Sequence, residues 1–349
     1  MTFELLKTFI DDQGWNFFGI TDFSFLHFNL KKHKKIFELW TQRGFQADMN
    51  YLEQMEEDRF HPENKLPNIK SVLVLGAWYG GNSNSNSLVA RYARGKDYHN
   101  VLKKKCVALS DWLKKQYPEA ETYISIDSGP TADRVFAETA GLGFFGKNSC
   151  LIRPSHGSYF FIASVMTNLD LPLISTSASK MPICGDCQNC LKNCPTGALV
   201  SPGVVDANCC ISYLTIENKQ GIPIALRSKI GNHLFGCDAC QEVCPFNQGR
   251  KDKQVITIDS LKSENGVGES LDLIEIFSLS TDEDFTKRFA GTPLMRAKRR
   301  GLLRNACVVA GNSGDVSLIP HLQSVIDRED DTMIKEHARW AIEQLENQA

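Results

Sequence analysis

No apolar run in this chain approaches the roughly 18–20 residues that a membrane-spanning helix needs. Charge of one sign is also lacking. The 39 Lys and Arg stand against 41 Asp and Glu, a formal −2 at pH 7, so any contact with nucleic acid or an anionic surface must use a local patch. There is no Walker-type phosphate loop. The N-terminus, MTFELLKTFIDDQGW, carries acids where a secretory leader carries bases, and its apolar residues recur with helical period. These absences predict a cytoplasmic chain with no membrane contact.

Cysteine, by contrast, is abundant, with twelve in the chain. Disulfides are rare in a reducing compartment, so dense cysteines at short spacings point to metal or redox chemistry. Seven fall in two runs, CGDCQNCLKNCPTG (184–197) and CDACQEVCPFN (237–247). The first is the bacterial ferredoxin pattern: Cys184, Cys187 and Cys190, two residues apart, hold three corners of a 4Fe–4S cube, and Cys194, beside Pro195, points to a second cube. Zinc would draw paired cysteines from two hairpins instead. In two-cluster ferredoxins the fourth cysteine of each run serves the other cluster. That swap gives Cys184, Cys187, Cys190 and Cys244 to one cluster, and Cys194, Cys237 and Cys240 to the other. The second set lacks a ligand, because Leu234 stands where a full run would place cysteine. Cys209 and Cys210, in VDANCCISYLTIEN, are the nearby spare thiols, and spacing does not choose between them. Cys106, Cys150 and Cys307 read as small buried hydrophobes.

Along the chain, helical patterns near 3–12, 30–43 and 100–116 alternate with strand-like runs at 71–79, 121–127 and 157–166. This predicts an α/β or α+β domain over 1–175, with a polar loop GGNSNSNS at 80–87 and a linker at 171–182. A ferredoxin-like domain over 176–255 follows, then a helical, HEAT-like domain over 256–349 that is too short to stand alone and should pack on the rest. GLGFFG (141–146) has Rossmann glycine spacing but follows a helical pattern, so it reads as a helix C-cap and tight turn. DYHNVL (97–102) begins like the cobalamin motif Asp-x-His-x-x-Gly, but Leu102 replaces the glycine. The run MRAKRRGLLR gathers Arg296, Lys298, Arg299, Arg300 and Arg304 at the start of the helical repeat.

Several stretches together carry a family resemblance: RFHPENKLP (59–67), RYARGKDYH (91–99), DSGPTADRVFAETAGLGFFGKN (127–148), CISYLTIE (210–217), GNHLFGCDACQEVCPFN (231–247) and HARWAI (337–342). In this order, over roughly residues 15–345, the chain resembles the epoxyqueuosine reductases, oxidoreductases of queuosine biosynthesis that use cobalamin. The resemblance implies an N-terminal module shaped like those of reductive dehalogenases, holding base-off cobalamin beside one of two 4Fe–4S clusters. It makes Cys210 the eighth cluster ligand and Cys209 an extra thiol. It places Arg59, Asp127, Leu151, Ile162 and Ser212 against cobalamin, His99 near the substrate, and Asp127 as the proton donor, with Asp133 in reserve. A donor aspartate must stay protonated near neutral pH, which burial against the corrin would achieve. The implied substrate is tRNA carrying epoxyqueuosine at the wobble position, with electrons from a flavodoxin or ferredoxin and the enzyme a monomer. The basic run at 295–304 would then grip RNA phosphates. Two other readings remain open: a reductive dehalogenase acting on a small molecule, and an RNA-binding electron-transfer protein with structural clusters. A bound cobalamin spectrum separates the first two from the third.

Overall fold

The structure, a computed structural model, describes residues 2–80, 87–173, 183–248 and 258–347. The expected loop at 81–86, most of the linker, and the domain boundaries at 175/176 and 255/256 lie outside the described residues. The first part runs α1 (Phe3–Asp12), β1 (Phe17–Asp22), α2 (Phe23–Gln42), the short α3 (Tyr51–Gln54) and α4 (Glu56–Phe60), then β2 (Ser71–Trp78). It continues with α5 (Tyr98–Gln116), β3 (Thr122–Ser125), α6 (Asp133–Thr139), the hairpin β4 (Phe144–Phe145) and β5 (Leu151–Ile152), and β6 (Phe160–Thr167).

The main sheet has the order β1-β2-β6-β3, and every pairing in it is antiparallel. The fold is therefore α+β rather than the parallel α/β that alternating elements suggest. β2 is buried along its whole length. Period-2 alternation sends Leu73, Leu75 and Ala77 into a core with α1 and α5, and Val72, Val74 and Trp78 into a second core with α2 and α6. Helices thus cover both faces of the sheet, which leaves the chemistry to its ends. As expected, α6 stops at a glycine: Gly141 has φ +75° and its N–H reaches Glu138 O at 2.9 Å.

The cysteine region holds α7 (Asn189–Lys192), a hairpin of β7 (Leu199–Ser201) and β8 (Val204–Val205), α8 (Ile211–Ile216), α9 (Ile224–Ile230) and α10 (Ala239–Glu242). The last part is helical: α11 (Leu273–Ser278), α12 (Asp282–Phe289), α13 (Lys298–Ser313), α14 (Ile319–Arg328) and α15 (Thr332–Glu346). One core joins these two parts. Ile211, Leu214, Ile222, Ile230, Leu234 and Phe235 are buried with Leu302, Ala306, Leu322, Ile334 and Leu345. The expectation that the C-terminal helices pack on the rest holds. Leu234, which occupies the position of the missing cysteine, is fully buried in this shared core. Among the described residues no helix is long and apolar enough to cross a membrane.

Candidate active site and cluster ligands

β3 ends at Ser125, and the chain then turns tightly, with Ser128 N donating to Ile126 O at 2.5 Å. Asp127, at the turn, has φ +52°, a left-handed conformation that aspartate tolerates better than most residues. The Ser125 and Thr131 hydroxyls hydrogen-bond across the base of this loop. The turn aims the Asp127 carboxylate at the first turn of α5. There Asp97 caps the helix, accepting from His99 N at 3.0 Å and facing His99 Nδ1 at 2.8 Å. The other ring nitrogen, His99 Nε2, lies 3.5 Å from Asp127 Oδ2. The Tyr98 hydroxyl donates to the same oxygen, and its ring is stacked between His99 (4.0 Å) and Phe161 (4.2 Å).

A histidine between two carboxylates keeps its proton. Burial acts against the His99 imidazolium, but hydrogen bonds to Asp127 and Asp97 and their charges outweigh it and hold the group at about 9. For Asp127, desolvation by its neighbours acts upward, yet hydrogen bonds from His99 and Tyr98 and the charges of His99 and Arg134 draw it below the usual carboxylate value. The Asp127 side chain is 66% exposed and faces an imidazolium, so in this arrangement the proton resides on His99. The carboxyl that burial does raise is Asp133, brought to about 7 although the Thr131 hydroxyl donates to it at 2.9 Å. Sequence reasoning named His99 but missed Asp97 and Tyr98. The available signal was an aspartate two residues before the histidine at a helix start.

The other residues expected to meet the cofactor are only partly brought together. Arg59 lies in the last turn of α4, donates from Nη1 to Thr131 O at 3.0 Å, and stands 6.0 Å over the Phe37 ring. Its Nε is buried without a hydrogen-bond partner among the described residues. Leu151 and Ile162 join the same apolar cluster as Phe37. Ser212 stands apart on α8, two residues beyond Cys210. An orphaned guanidinium N–H within reach of the Asp127 charge, beside an apolar wall, fits a large group with amide side chains such as cobalamin. A surface pocket of about 310 Å³ lined by Lys70, Tyr117 and Asn168 lies at the opposite end of β3 and takes no part.

All twelve cysteines are free thiols. Among the described residues no three His, Cys, Asp or Glu side chains are gathered closely enough to hold a single ion. The cysteines instead form two looser sets, visible in which thiols perturb one another. Cys190 responds to Cys184 and Cys187, and Cys244 responds to Cys184 and Cys190. Cys210 responds to Cys194, and Cys237 to Cys210 and Cys194; Cys240 responds to Cys237 and Cys210. This grouping is compatible with the crossed ferredoxin arrangement, and Cys150 and Cys209 adjoin the second set. Lys147, which the sequence reading did not single out, donates to Gly185 O (2.6 Å) and Cys187 O (2.9 Å) and fixes the first loop. Cys106 and Cys307 are fully buried, as expected, but Cys150 is not a plain hydrophobe because its thiol hydrogen-bonds to Cys240. Of the adjacent pair, Cys210 caps α8 and faces the second quartet, whereas Cys194 is the only thiol that Cys209 senses. Cys210→Ala should therefore halve the iron content, and Cys209→Ala should leave it at about eight per chain. Iron analysis with low-temperature spin resonance of both variants decides this; full iron in Cys210→Ala would refute the assignment.

The basic run does not form one solvated stripe. Arg304 is buried, donating to Leu214 O, Asn218 O and Gln220 O, and Arg299 is committed to Glu329 and Leu279 O. Both serve the fold, so reversing the charge of Arg299 would test stability and not RNA binding. Arg296 pairs with Glu217 and Arg300 with Asp331, and both remain exposed.

Comparison with known proteins matches two families. The one described as "4Fe-4S double cluster binding domain" covers residues 183–247, and the one described as "Epoxyqueuosine reductase QueG, DUF1730" covers 59–128. Epoxyqueuosine reductase of Pseudomonas aeruginosa is 33% identical over 97% of this chain and 92% of its own, and that of Francisella cf. novicida is 34% identical over 90% of each. Among solved structures, an epoxyqueuosine reductase with an epoxyqueuosine-modified tRNA-Tyr stem loop superposes with a TM-score of 0.83 at 29% identity, covering 98% of this chain and 89% of that one. In a Bacillus subtilis epoxyqueuosine reductase structure (TM-score 0.81, 29% identity, 98% of this chain and 90% of that one) a catalytic loop named for its aspartate is swung out of the active site. With that identity over nearly its whole length, this chain belongs to the epoxyqueuosine reductase family.

Proposed function

We propose that this chain reduces the epoxide of epoxyqueuosine, at the wobble position of a tRNA anticodon, to queuosine. The observation that carries the reading is the Asp97–His99–Asp127–Tyr98 arrangement, in one chain with a cysteine-rich stretch that matches a double-cluster domain. Removing an epoxide oxygen as water, with formation of the alkene, consumes two electrons and two protons. Base-off cobalamin, fed one electron at a time by two 4Fe–4S clusters, would supply the reducing power. Arg59, Leu151, Ile162, Ser212 and Asp127 would hold it, Arg59 through its orphaned Nε. The protein's own part is proton supply. Asp127 faces the substrate, His99 beside it carries the proton at neutral pH, and Tyr98 holds the carboxylate in place. Asp133, raised to about 7, is a second proton store in the same loop. The C-terminal helices form a HEAT-like unit that contacts the RNA. The electron donor is an external flavodoxin or ferredoxin, and the enzyme works as a cytoplasmic monomer.

The reading is tested by reconstituting the clusters, adding cobalamin and looking for a bound visible spectrum. The protein is then incubated with an epoxyqueuosine-modified stem loop and a low-potential reductant, and the nucleosides are analysed. A chain that binds cobalamin but leaves the epoxide intact would refute the activity. The pH dependence follows from His99. Its value is raised above the ordinary imidazole value of about 6.5, so its ion pair contributes stability that is complete below about 6.5 and lost as pH rises through about 9. The single-turnover rate should therefore be nearly level from about pH 7 to 8 and fall through about 9. A descending limb near pH 6.5 would mean that His99 does not hold the proton.

A further inference from the structure

Helix α2 is apolar on two sides. Its inner side sends Leu26 and Leu30 into the core, with Phe37 packed beside them. Its outer side carries Phe25, Phe28, Ile36 and Leu39, each between 52% and 69% exposed. At 3.6 residues per turn these four and Lys32 fall in one stripe, about 21 Å long from Phe25 to Leu39. Phe25 and Phe28 are the only exposed phenylalanines among the described residues.

Lys31, Lys32 and Lys35 stand along the same face, and Arg43 follows the end of the helix; all four are exposed. No Asp or Glu is among the exposed residues of α2. Lys34 is paired with Glu57 at 3.2 Å, whereas among the described residues no carboxylate meets Lys31, Lys32 or Lys35. A face that mixes apolar side chains with charge of one sign selects an acidic partner surface that also offers apolar contacts. It does not suit a second copy of this chain. The stripe is centred on Lys32, so a twofold pairing of two α2 helices would set the lysines of both copies against one another. Ile36 and Leu39, in turn, offer no ring on which an RNA base could stack.

The helix also touches both cysteine-bearing segments. His33 packs on Phe145 with ring centroids 5.1 Å apart, and the adjoining Phe144 packs with Cys184 and Cys244 of the first quartet. At the other end, Trp40 Nε1 donates to Val205 O at 2.7 Å. Just beyond the helix, Ala207 N donates to Phe45 O at 2.8 Å and Asn208 Nδ2 to Gly44 O at 2.9 Å, in the segment that leads into Cys210. We propose that the outer face of α2 is the docking surface for a small acidic electron-carrier protein. Phe25, Phe28, Ile36 and Leu39 supply its apolar contacts, and Lys31, Lys32 and Lys35 steer the carrier onto it. Each docking event oxidises one carrier by one electron and reduces one cluster by one electron. Two events therefore supply the two electrons that one epoxide consumes. The surface rests on the functional reading above, because it needs an enzyme that takes electrons from outside.

The test uses the full chain with reconstituted clusters, mixed anaerobically with reduced flavodoxin in one arm and reduced 2Fe–2S ferredoxin in the other. Cluster bleaching gives the second-order rate at several salt concentrations, and titration with the oxidised carrier gives the affinity. The parent rate should fall as salt rises. Combining Lys31→Gln, Lys32→Gln and Lys35→Gln should lower it roughly 10-fold at low salt and remove most of its salt dependence. Phe28→Ser with Leu39→Ser should weaken the affinity roughly 5–10-fold and leave the salt dependence in place. Reduction by photoreduced deazaflavin, iron content and melting temperature should match the parent in both variants. The charge-matched control, Lys103→Gln, Lys104→Gln and Lys114→Gln on the exposed side of α5, should change nothing. Parent-like rates and affinities in both α2 variants, or a parent that neither carrier reduces, would overturn the surface. So would a lysine variant that loses stem-loop affinity but keeps its carrier kinetics, which would give the face to RNA. A parent dimer that Phe28→Ser dissociates would give the face to a second copy and overturn it too. A parent that takes electrons through this face but leaves the epoxide intact would sink the functional reading alone.

Discussion

Asp127→Asn should lower the rate of epoxide reduction by roughly 10²–10⁴-fold, the usual worth of a positioned acid or base, while cobalamin uptake and iron content stay unchanged. The amide keeps the shape of the side chain and a contact with Tyr98, but it removes the charge that holds a proton on His99. His99 would then rely on Asp97 alone, and its value should fall toward that of an ordinary imidazole. Single-turnover measurements on pre-reduced enzyme isolate this step from electron delivery. Two signs should appear together: a lower plateau, and a descending limb displaced to lower pH. Parent-like turnover would shift the proton-donating role to Asp133, whose value near 7 already suits it.

Arg304→Met should be the most destabilising substitution in the basic run, by roughly 3–5 kcal/mol, because each buried acceptor left without a partner costs about 1–3 kcal/mol. The Arg304 side chain is only 1% exposed, and burial lowers it to about 10, still charged at neutral pH. Among the described residues no carboxylate pairs with it. Its guanidinium instead donates to Asn218 O (2.8 Å), Gln220 O (2.5 Å), Leu214 O (2.7 Å) and Asn305 Oδ1. Arg304→Lys should fail almost as badly, since one ammonium cannot serve a fan of acceptors that a planar fork reaches. Denaturant titration followed by circular dichroism measures the loss, with Lys335→Met, on α15, as the control expected to move little. Because Leu214 lies in the helix that follows Cys210, Arg304→Met should also loosen the second thiol quartet and lower iron occupancy there first. A variant as stable as the parent would show that water replaces the guanidinium without loss.

What the sequence disclosed followed from how local each signal was. Strands β2 and β6 stand out because both are buried on two faces and read as unbroken apolar runs. β1 has no such mark. Phe17–Asp22 is six residues with a glycine inside, and its pairing with β2 makes it a strand. The cysteine runs were legible because their spacing is itself the ligand geometry. The eighth ligand was open to the residues alone, since Cys209 and Cys210 differ only in which side of the α8 cap they occupy. The partners of Asp127 were not legible, because α5 brings them to it and nothing in DSGP records them. Arg296, Arg299 and Arg304 look alike in a string of letters. Their places along α13 and the turn before it decide that Arg304 meets buried carbonyls, Arg299 a buried glutamate, and Arg296 the partly buried Glu217.

The core shared by the cysteine region and the C-terminal helices bears on the order in which this protein can mature. Thr215 O and Leu234 O, both between Cys210 and Cys237 in the chain, accept from Asn305 Nδ2 at 2.8 and 2.9 Å, and Leu214 O accepts from Arg304. During synthesis the chain emerges from the ribosome N-terminus first, so the cysteines appear well before residues 304 and 305 that brace them. The segment carrying Cys210 and Cys237 therefore waits, unbraced, until α13 has been made. The first quartet rests on Lys147 and on Phe144 and Ile152, all earlier in the chain, and waits only for its last ligand, Cys244. The two clusters should thus be inserted in sequence, one while translation proceeds and the other only after it has nearly finished.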